Sequence, residues 1–232
     1  MLVTGFPAGM FQTNCYILAQ DDACECVVVD PGQDAAEPLF EYLDSKDMSV
    51  TAVLLTHGHL DHVWSAREVC ERYSVPAYIH PEDRYMLSDP ARGIGPTMKE
   101  FIQGMTFVEP DEVIELADGD KITEAGMTFV VDHTPGHTQG SVVFRTQANT
   151  ESGPVDLAFT GDTLFQVPSG AATCPAEITS SCSLRSPASY WYSVTRQWSC
   201  PGTAATVRSA PSEARIRFSL DSAHKNKEKY LS

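Results

Sequence analysis

Mixed α/β layers are the fold class that this sequence predicts, and three observations predict it. Short β-rich runs alternate with helix-period segments through the first hundred residues. A second strand-rich part begins near Val113. Three clusters of histidine and aspartate each follow an apolar run of strand length, in the manner of side chains carried on the loops of a layered scaffold.

The elements follow in order. Leu2 to Phe6, Asn14 to Ala19 and Cys26 to Val29 are β-rich runs separated by Pro7-Ala8-Gly9 and Gln20-Asp21-Asp22, which predicts a meander. Asp30-Pro31-Gly32 ends the third strand in a turn. A helix is predicted over roughly Ala35–Leu43, then a buried strand at Ala52-Val53-Leu54-Leu55. Val63, Ala66, Val69, Cys70 and Tyr73 recur at helical spacing and predict one helix with an apolar stripe. Val75 to His80 reads as a strand, and Pro81-Glu82-Asp83-Arg84 as a helix start. Further strands are expected near Val113–Leu116, Met127–Asp132, Ser141–Arg145 and Asp156–Thr160.

Composition narrows the function. At 232 residues and 42% hydrophobic content, the chain fits one large domain or two small ones with a real core. No apolar run is long enough to span a bilayer, so no membrane role is expected. The N-terminus lacks a basic region followed by an apolar stretch, so no signal peptide is evident. Seven cysteines at irregular spacing argue against a disulfide framework and for a cytoplasmic location. Cys24-Glu25-Cys26 lacks a partner pair and reads as a hairpin edge. A net charge of −15 argues against nucleic acid as a partner.

The densest chemistry lies in Thr56-His57-Gly58-His59-Leu60-Asp61-His62. On an extended segment, residues two apart point the same way, so His57 and His59 can grip one metal together. Asp61 and His62 sit where the chain turns into a helix and can aim at a neighbouring point. An oxygen ligand among imidazoles suits zinc or another borderline divalent ion. A second cluster, His133-Thr134-Pro135-Gly136-His137, holds His137 on a tight turn, with His133 expected to pack or support. A third piece, Thr160-Gly161-Asp162-Thr163, places a carboxylate at a strand end, with two oxygens to share between two ions. His80 is expected to be structural, and His224 to be solvated among lysines.

These motifs resemble the metallo-β-lactamase superfamily and, within it, the glyoxalase II-like hydrolases, over residues 1 to about 166. Asn14-Cys15-Tyr16 and Asp30-Pro31-Gly32 also look like the family's early strands and turn. The resemblance implies an αββα sandwich. It implies that His57, His59 and His137 bind a first metal, that Asp61 and His62 bind a second, and that Asp162 bridges both. It further implies two zinc ions, with iron or manganese as alternatives, and a metal-bound hydroxide attacking a thioester or related acyl substrate. Asp61 is placed to orient that hydroxide as a catalytic residue. Two other activities fit the motifs: an iron-dependent persulfide dioxygenase on the same fold, or a non-catalytic product of a damaged gene.

The character changes after Gln166. Residues 1–166 hold 27 acidic and 8 basic residues, whereas residues 167–232 hold 4 and 8, with 13 serines. No sustained helix or strand period runs through that tail, which predicts low order and an incomplete C-terminal layer. The family expects Gly-Ser-Ile-Gly-Arg-x-Asp after Asp162 and later Pro-Gly-His-Gly, whose histidine is the third ligand of the second metal. Neither string is present. Adding one base ahead of the Val167 codon lets Val167 to Glu177 encode Gly-Ser-Ile-Gly-Arg-Ser-Asp-Leu-Pro-Gly-Gly. The same offset lets Cys200 to Ala204 encode Val-Pro-Gly-His-Gly. A single lost base near codon 166 therefore accounts for both absences, and it predicts a weakened second metal and an impaired hydrolase. The competing explanation is an unrelated tail flattered by codon degeneracy.

Overall fold

The computed structural model of the chain describes residues 1–93, 96–150, 153–163 and 192–194. The chain opens with β1 (Leu2–Ala8), β2 (Thr13–Ala19) and β3 (Glu25–Val29), paired antiparallel in turn as the expected meander. Helix α1 (Ala36–Lys46) then carries the chain over the sheet to β4 (Ser49–Leu54), which lies parallel to β3. Parallel neighbours need such a crossover, and each later addition has one. Helices α2 (Leu60–Val63) and α3 (Ala66–Tyr73) lead to β5 (Ala77–Ile79). Helices α4 (Pro81–Arg84) and α5 (Pro96–Phe101) lead to β6 (Val113–Glu115), completing a six-stranded sheet in chain order.

The second sheet contains β7 (Lys121–Glu124), β8 (Met127–His133), β9 (Val142–Thr150) and β10 (Gly153–Phe159), joined antiparallel. β11 (Tyr192–Val194) runs parallel to β10 at the edge. The two sheets stack because strand side chains alternate between faces. In β3, Cys26 and Val28 join Leu39 and Leu43 of α1 and Val69 and Cys70 of α3 in one apolar cluster. Val27 and Val29 instead join Phe129, Phe144 and Phe159 of the second sheet in another. In the same way Leu54 belongs to the cluster between the sheets, while Val53 belongs to the one beneath the helices.

These layers form the expected lactamase-type sandwich. Among the described residues, neither apolar cluster extends across the outer face of the second sheet, where the C-terminal layer was expected to be incomplete. Within 167–232 only Tyr192–Val194 are described, and they form β11 where no strand was expected, because they pair with β10; the other expectations for that segment, His224 included, lie outside the described residues. No helix among the described residues is long and apolar enough to cross a membrane.

One element differs from its prediction. The stripe from Val63 to Tyr73 belongs to two helices, not one, although Val63, Ala66, Val69 and Cys70 all reach the same core and Tyr73 packs against it. The break falls at Trp64-Ser65. Ser65 N–H donates to the Pro31 carbonyl at 2.9 Å, and its hydroxyl donates to the Gly32 carbonyl at 2.7 Å. The turn after β3 thus takes bonds that a continuous helix would have made within itself. Gly32 has no room for a side chain there, because a Cβ would overlap the Asp61 carbonyl.

Candidate metal centre

Loops from both sheets converge on the site. Asp30 follows β3, the His57–His62 segment follows β4, and His137 lies between β8 and β9. Asp162 follows β10 by three residues. On the parallel part of the first sheet these are carboxyl ends of strands, the usual location of ligand sites in open α/β sheets. The Val142 N–H donates to the Thr56 carbonyl at 2.8 Å and ties the two sheets together beside the histidines.

Two groups of three ligand-type side chains result. His57, His59 and His137 form one, and His57, His62 and Asp162 form the other, with ligand atoms in each lying within 4.8 Å of one another. In the first group, His59 Nδ1 lies 2.9 Å from His137 Nε2. In the second, His62 Nε2 lies 3.4 Å from Asp162 Oδ1, while Asp162 Oδ2 lies 3.7 Å from His137 Nε2. The two Asp162 oxygens therefore face different groups. Asp61 belongs to neither set of three. Its Oδ2 lies 3.6 Å from His62 Nε2 and accepts a bond from the Thr13 hydroxyl at 2.8 Å. Sequence spacing assigned His57 to one group only, whereas the fold places its ring centroid 4.1 Å from that of His62 and 4.9 Å from that of His137.

Buried partners orient the imidazoles. Asp30 is 3% exposed and has φ of 50°, a left-handed conformation that aspartate tolerates better than most residues. Its Oδ1 accepts from the Thr56 N–H at 2.8 Å, and its Oδ2 accepts from the Thr56 hydroxyl at 2.7 Å. His62 Nδ1 lies 3.0 Å from the same Oδ2, and a carboxylate only accepts, so the Nδ1 proton faces Asp30. The Thr56 hydroxyl has spent its hydrogen on Asp30, so it accepts from His57 Nδ1 at 3.1 Å. Both contacts direct the Nε2 lone pairs elsewhere, as outer partners of metal-binding histidines do. Gly161 (φ 50°) sits against Thr56, and a side chain there would strike its hydroxyl.

The donor set fits divalent ions. His62 Nε2 is fully buried and makes no hydrogen bond within ordinary length, though carboxylate oxygens of Asp61 and Asp162 stand nearby. Ligands at about 2.1 Å from one ion stand at most about 4.2 Å apart. The separations from 2.9 to 3.7 Å fall inside that limit. Nitrogen and oxygen ligands without thiolates suit zinc, iron or manganese alike.

Charge differs between the groups. Burial lowers the pKa of His59 and of His137 below the ordinary histidine value, and His137 adds to the effect on His59. Burial also opposes a charge on His62, but Asp30, Asp162 and Asp61 more than offset it and raise its pKa to about 10. A metal at His62 must therefore displace a proton. Binding there should release close to one proton per ion between about pH 7 and pH 9, whereas His59 and His137 contribute none. The raised value also stabilises the metal-free fold. That stability is full below about pH 6.5 and is lost as pH rises through about 10. Titration calorimetry in two buffers of different ionisation heat measures the protons; a binding heat independent of buffer contradicts the assignment.

Among the described residues, His80 and His133 stay outside both groups. His80 and His133 stack with ring centroids 3.9 Å apart, and His133 Nε2 donates to the Gln139 carbonyl at 2.8 Å. Burial, with His133 alongside, lowers the His80 pKa. Cys24 and Cys26 are free thiols, Cys26 being buried with its pKa pushed up to about 12 by that burial.

A sandwich of two sheets with a three-histidine group and a histidine–aspartate group at their shared edge defines a class of metal-dependent proteins. Comparison agrees: the family described as the metallo-beta-lactamase superfamily matches residues 8–232. The chain belongs to the metallo-β-lactamase superfamily. An uncharacterized protein of Mycobacterium leprae is 53% identical over 167 residues, covering 72% of this chain and 74% of that protein. The hydroxyacylglutathione hydrolase GloC of Haemophilus influenzae is 32% identical over 165 residues, covering 69% of this chain and 70% of that one. Among solved structures, the B3 metallo-beta-lactamase BLEG-1 superposes with a TM-score of 0.58 at 34% identity, covering 71% of this chain and 74% of that one. Family and site together support a metal-dependent hydrolase with a dinuclear centre.

Proposed function

We propose that the chain is a glyoxalase II-like hydrolase that cleaves a thioester or a related acyl substrate. The observation that carries this reading is Asp162, whose two carboxylate oxygens face two different ligand groups. We assign His57, His59 and His137 to a first ion, Asp61 and His62 to a second, and Asp162 to both. Divalent ions held there supply a strong nucleophile from water at neutral pH and polarise the acyl carbonyl. The chain's own contributions are positional. Asp30 and Thr56 fix the tautomers of His62 and His57. The Thr13 hydroxyl donates to Asp61 Oδ2 and holds that carboxylate beside His62. A thioester suits this apparatus because its thiolate leaves without needing a general acid. The likeness to a hydroxyacylglutathione hydrolase supports that substrate class.

The tail modifies the proposal. These two alignments run over 167 and 165 residues and leave between about a quarter and a third of each chain outside, which supports a domain at 1–166 followed by an out-of-frame segment. On that reading the second ion lacks one imidazole, and the whole chain holds fewer than two ions. Three measurements on the full-length chain test the proposal: elemental analysis, hydrolysis of a hydroxyacylglutathione thioester, and the nucleotide sequence around codon 166. Zinc-dependent hydrolysis that stops with a chelator and returns with zinc is expected. Iron with oxygen uptake favours the dioxygenase, and metal without turnover favours the non-catalytic product. Two tightly held zinc ions, or a gene in which one added base opens no Pro-Gly-His-Gly frame, rejects the frameshift.

A further inference from the structure

Asp83 is a carboxylate with 1% exposure, on the short helix α4, outside both ligand groups. Its acceptor capacity is spent on the two loops that carry the first group. Oδ2 accepts from the Gly58 N–H at 2.9 Å, and Gly58 lies between His57 and His59. The same oxygen accepts from the Thr138 hydroxyl at 2.6 Å, and Thr138 follows His137. Oδ1 accepts from the Gly140 N–H at 2.8 Å, further along that loop. Thr138 has given its hydrogen to Asp83, so it accepts from the Ser141 hydroxyl at 2.7 Å, and Ser141 Oγ accepts from the Thr138 N–H at 3.1 Å. The whole turn after His137 is therefore referenced to one carboxylate.

The backbone is shaped for this approach. A Cβ at Gly140 would stand 2.7 Å from Asp83 Cγ and 2.8 Å from its backbone nitrogen. One at Gly58 would stand 2.7 Å from the Asp83 carbonyl. Two glycines thus let loops from opposite sheets close on the same side chain. Helix α4 alone needs none of these bonds, because the Asp83 N–H already reaches the His80 carbonyl.

We propose that Asp83 is a positioning residue that locks the His57–His59 segment and the His137 turn into one metal-binding frame. The inference rests on the proposed metal centre. It distinguishes Asp83 from Asp30 and Thr13, which each reach a ligand side chain directly: Asp83 acts through backbone amides and one hydroxyl. An asparagine cannot replace it. Whichever way its amide is turned, the NH2 group faces the N–H of Gly58 or of Gly140 as donor against donor.

The test uses the full-length protein and zinc competition against a chromophoric chelator. Asp83→Asn should bind zinc about 10- to 100-fold more weakly, the usual effect of losing an outer partner. Its cobalt(II)-loaded form should show an altered visible absorption. Thr138→Val removes only the hydroxyl donor and should weaken zinc several-fold at a nearly unchanged urea midpoint. Leu43→Ala, a buried residue of α1 in the cluster beneath the helices and outside both ligand groups, should lower the midpoint and leave zinc affinity intact. If Asp83→Asn folds and binds zinc like wild type with an unaltered cobalt spectrum, the proposal is overturned. If Asp83→Asn does not fold, Thr138→Val decides alone, and unchanged affinity overturns it. Equal weakening by Leu43→Ala also overturns it, since the effect would then be general loosening. A wild-type chain that binds no divalent ion removes the metal centre and this inference together.

Discussion

Replacing Asp162 with alanine is expected to lower the metal content below that of the wild-type chain and to lower metal-dependent hydrolysis by about a thousand-fold, ~4 kcal/mol of transition-state stabilisation. Asp162 is 8% exposed, and its oxygens stand 3.4 Å from His62 Nε2 and 3.7 Å from His137 Nε2. Asp61 also stands 3.6 Å from His62 Nε2, but it belongs to neither group of three. The pKa of His62 should also fall, because Asp162 is one of the groups holding it up. Asp156→Ala is the control: it removes a carboxylate of β10, the strand that leads to Asp162, where it accepts from Gln147. Metal analysis by plasma emission and a thioester assay read the result. Wild-type metal content with undiminished turnover in Asp162→Ala would remove the bridging role.

Asp30→Ala is expected to destabilise the chain by about 3–5 kcal/mol, the range for breaking a buried ion pair by removing one partner. Three donors lose their acceptor at once: the Thr56 N–H, the Thr56 hydroxyl and His62 Nδ1. Each buried unmet donor costs about 1–3 kcal/mol on its own. Alanine also fits poorly at the φ of 50° that aspartate tolerates there. Asp30→Asn separates these contributions. It keeps the backbone and one acceptor, so it should lose about half as much. The urea midpoint measures both, and with a slope of about 1–3 kcal/mol/M the alanine variant should shift by 1 M or more. An unchanged midpoint for Asp30→Ala would show that the network adds nothing to stability.

The sequence exposed the candidate ligands better than it exposed their supports. His57, His59, Asp61 and His62 are legible because a strand end compresses them into one segment, and His137 and Asp162 because each also follows a strand. Asp30 looked like a turn former and Asp83 like a helix start, since both are single carboxylates in positions where such residues are ordinary. Their partners lie 25 to 57 residues away, a distance that only the closed sandwich spans. The same limit hid the break between α2 and α3, because Ser65 takes its bonds from the Pro31-Gly32 turn. Strand β7 was missed for another reason. Lys121-Ile122-Thr123-Glu124 is a short edge strand with one buried apolar residue, too little for a period to show.

The division of the site between two sheets sets a timetable for the chain during synthesis. When residues up to His62 have left the ribosome, the first sheet carries only part of each ligand group. His137 and Asp162 come from the second sheet, and Asp162 emerges roughly a hundred residues after His62, at least about 5 s later at 5–20 residues per second. Until then a metal ion meets loose imidazoles with no opposing wall. Loading of such a site would therefore be a late event in the life of the nascent protein, and an ion captured there would report that the two halves have already met.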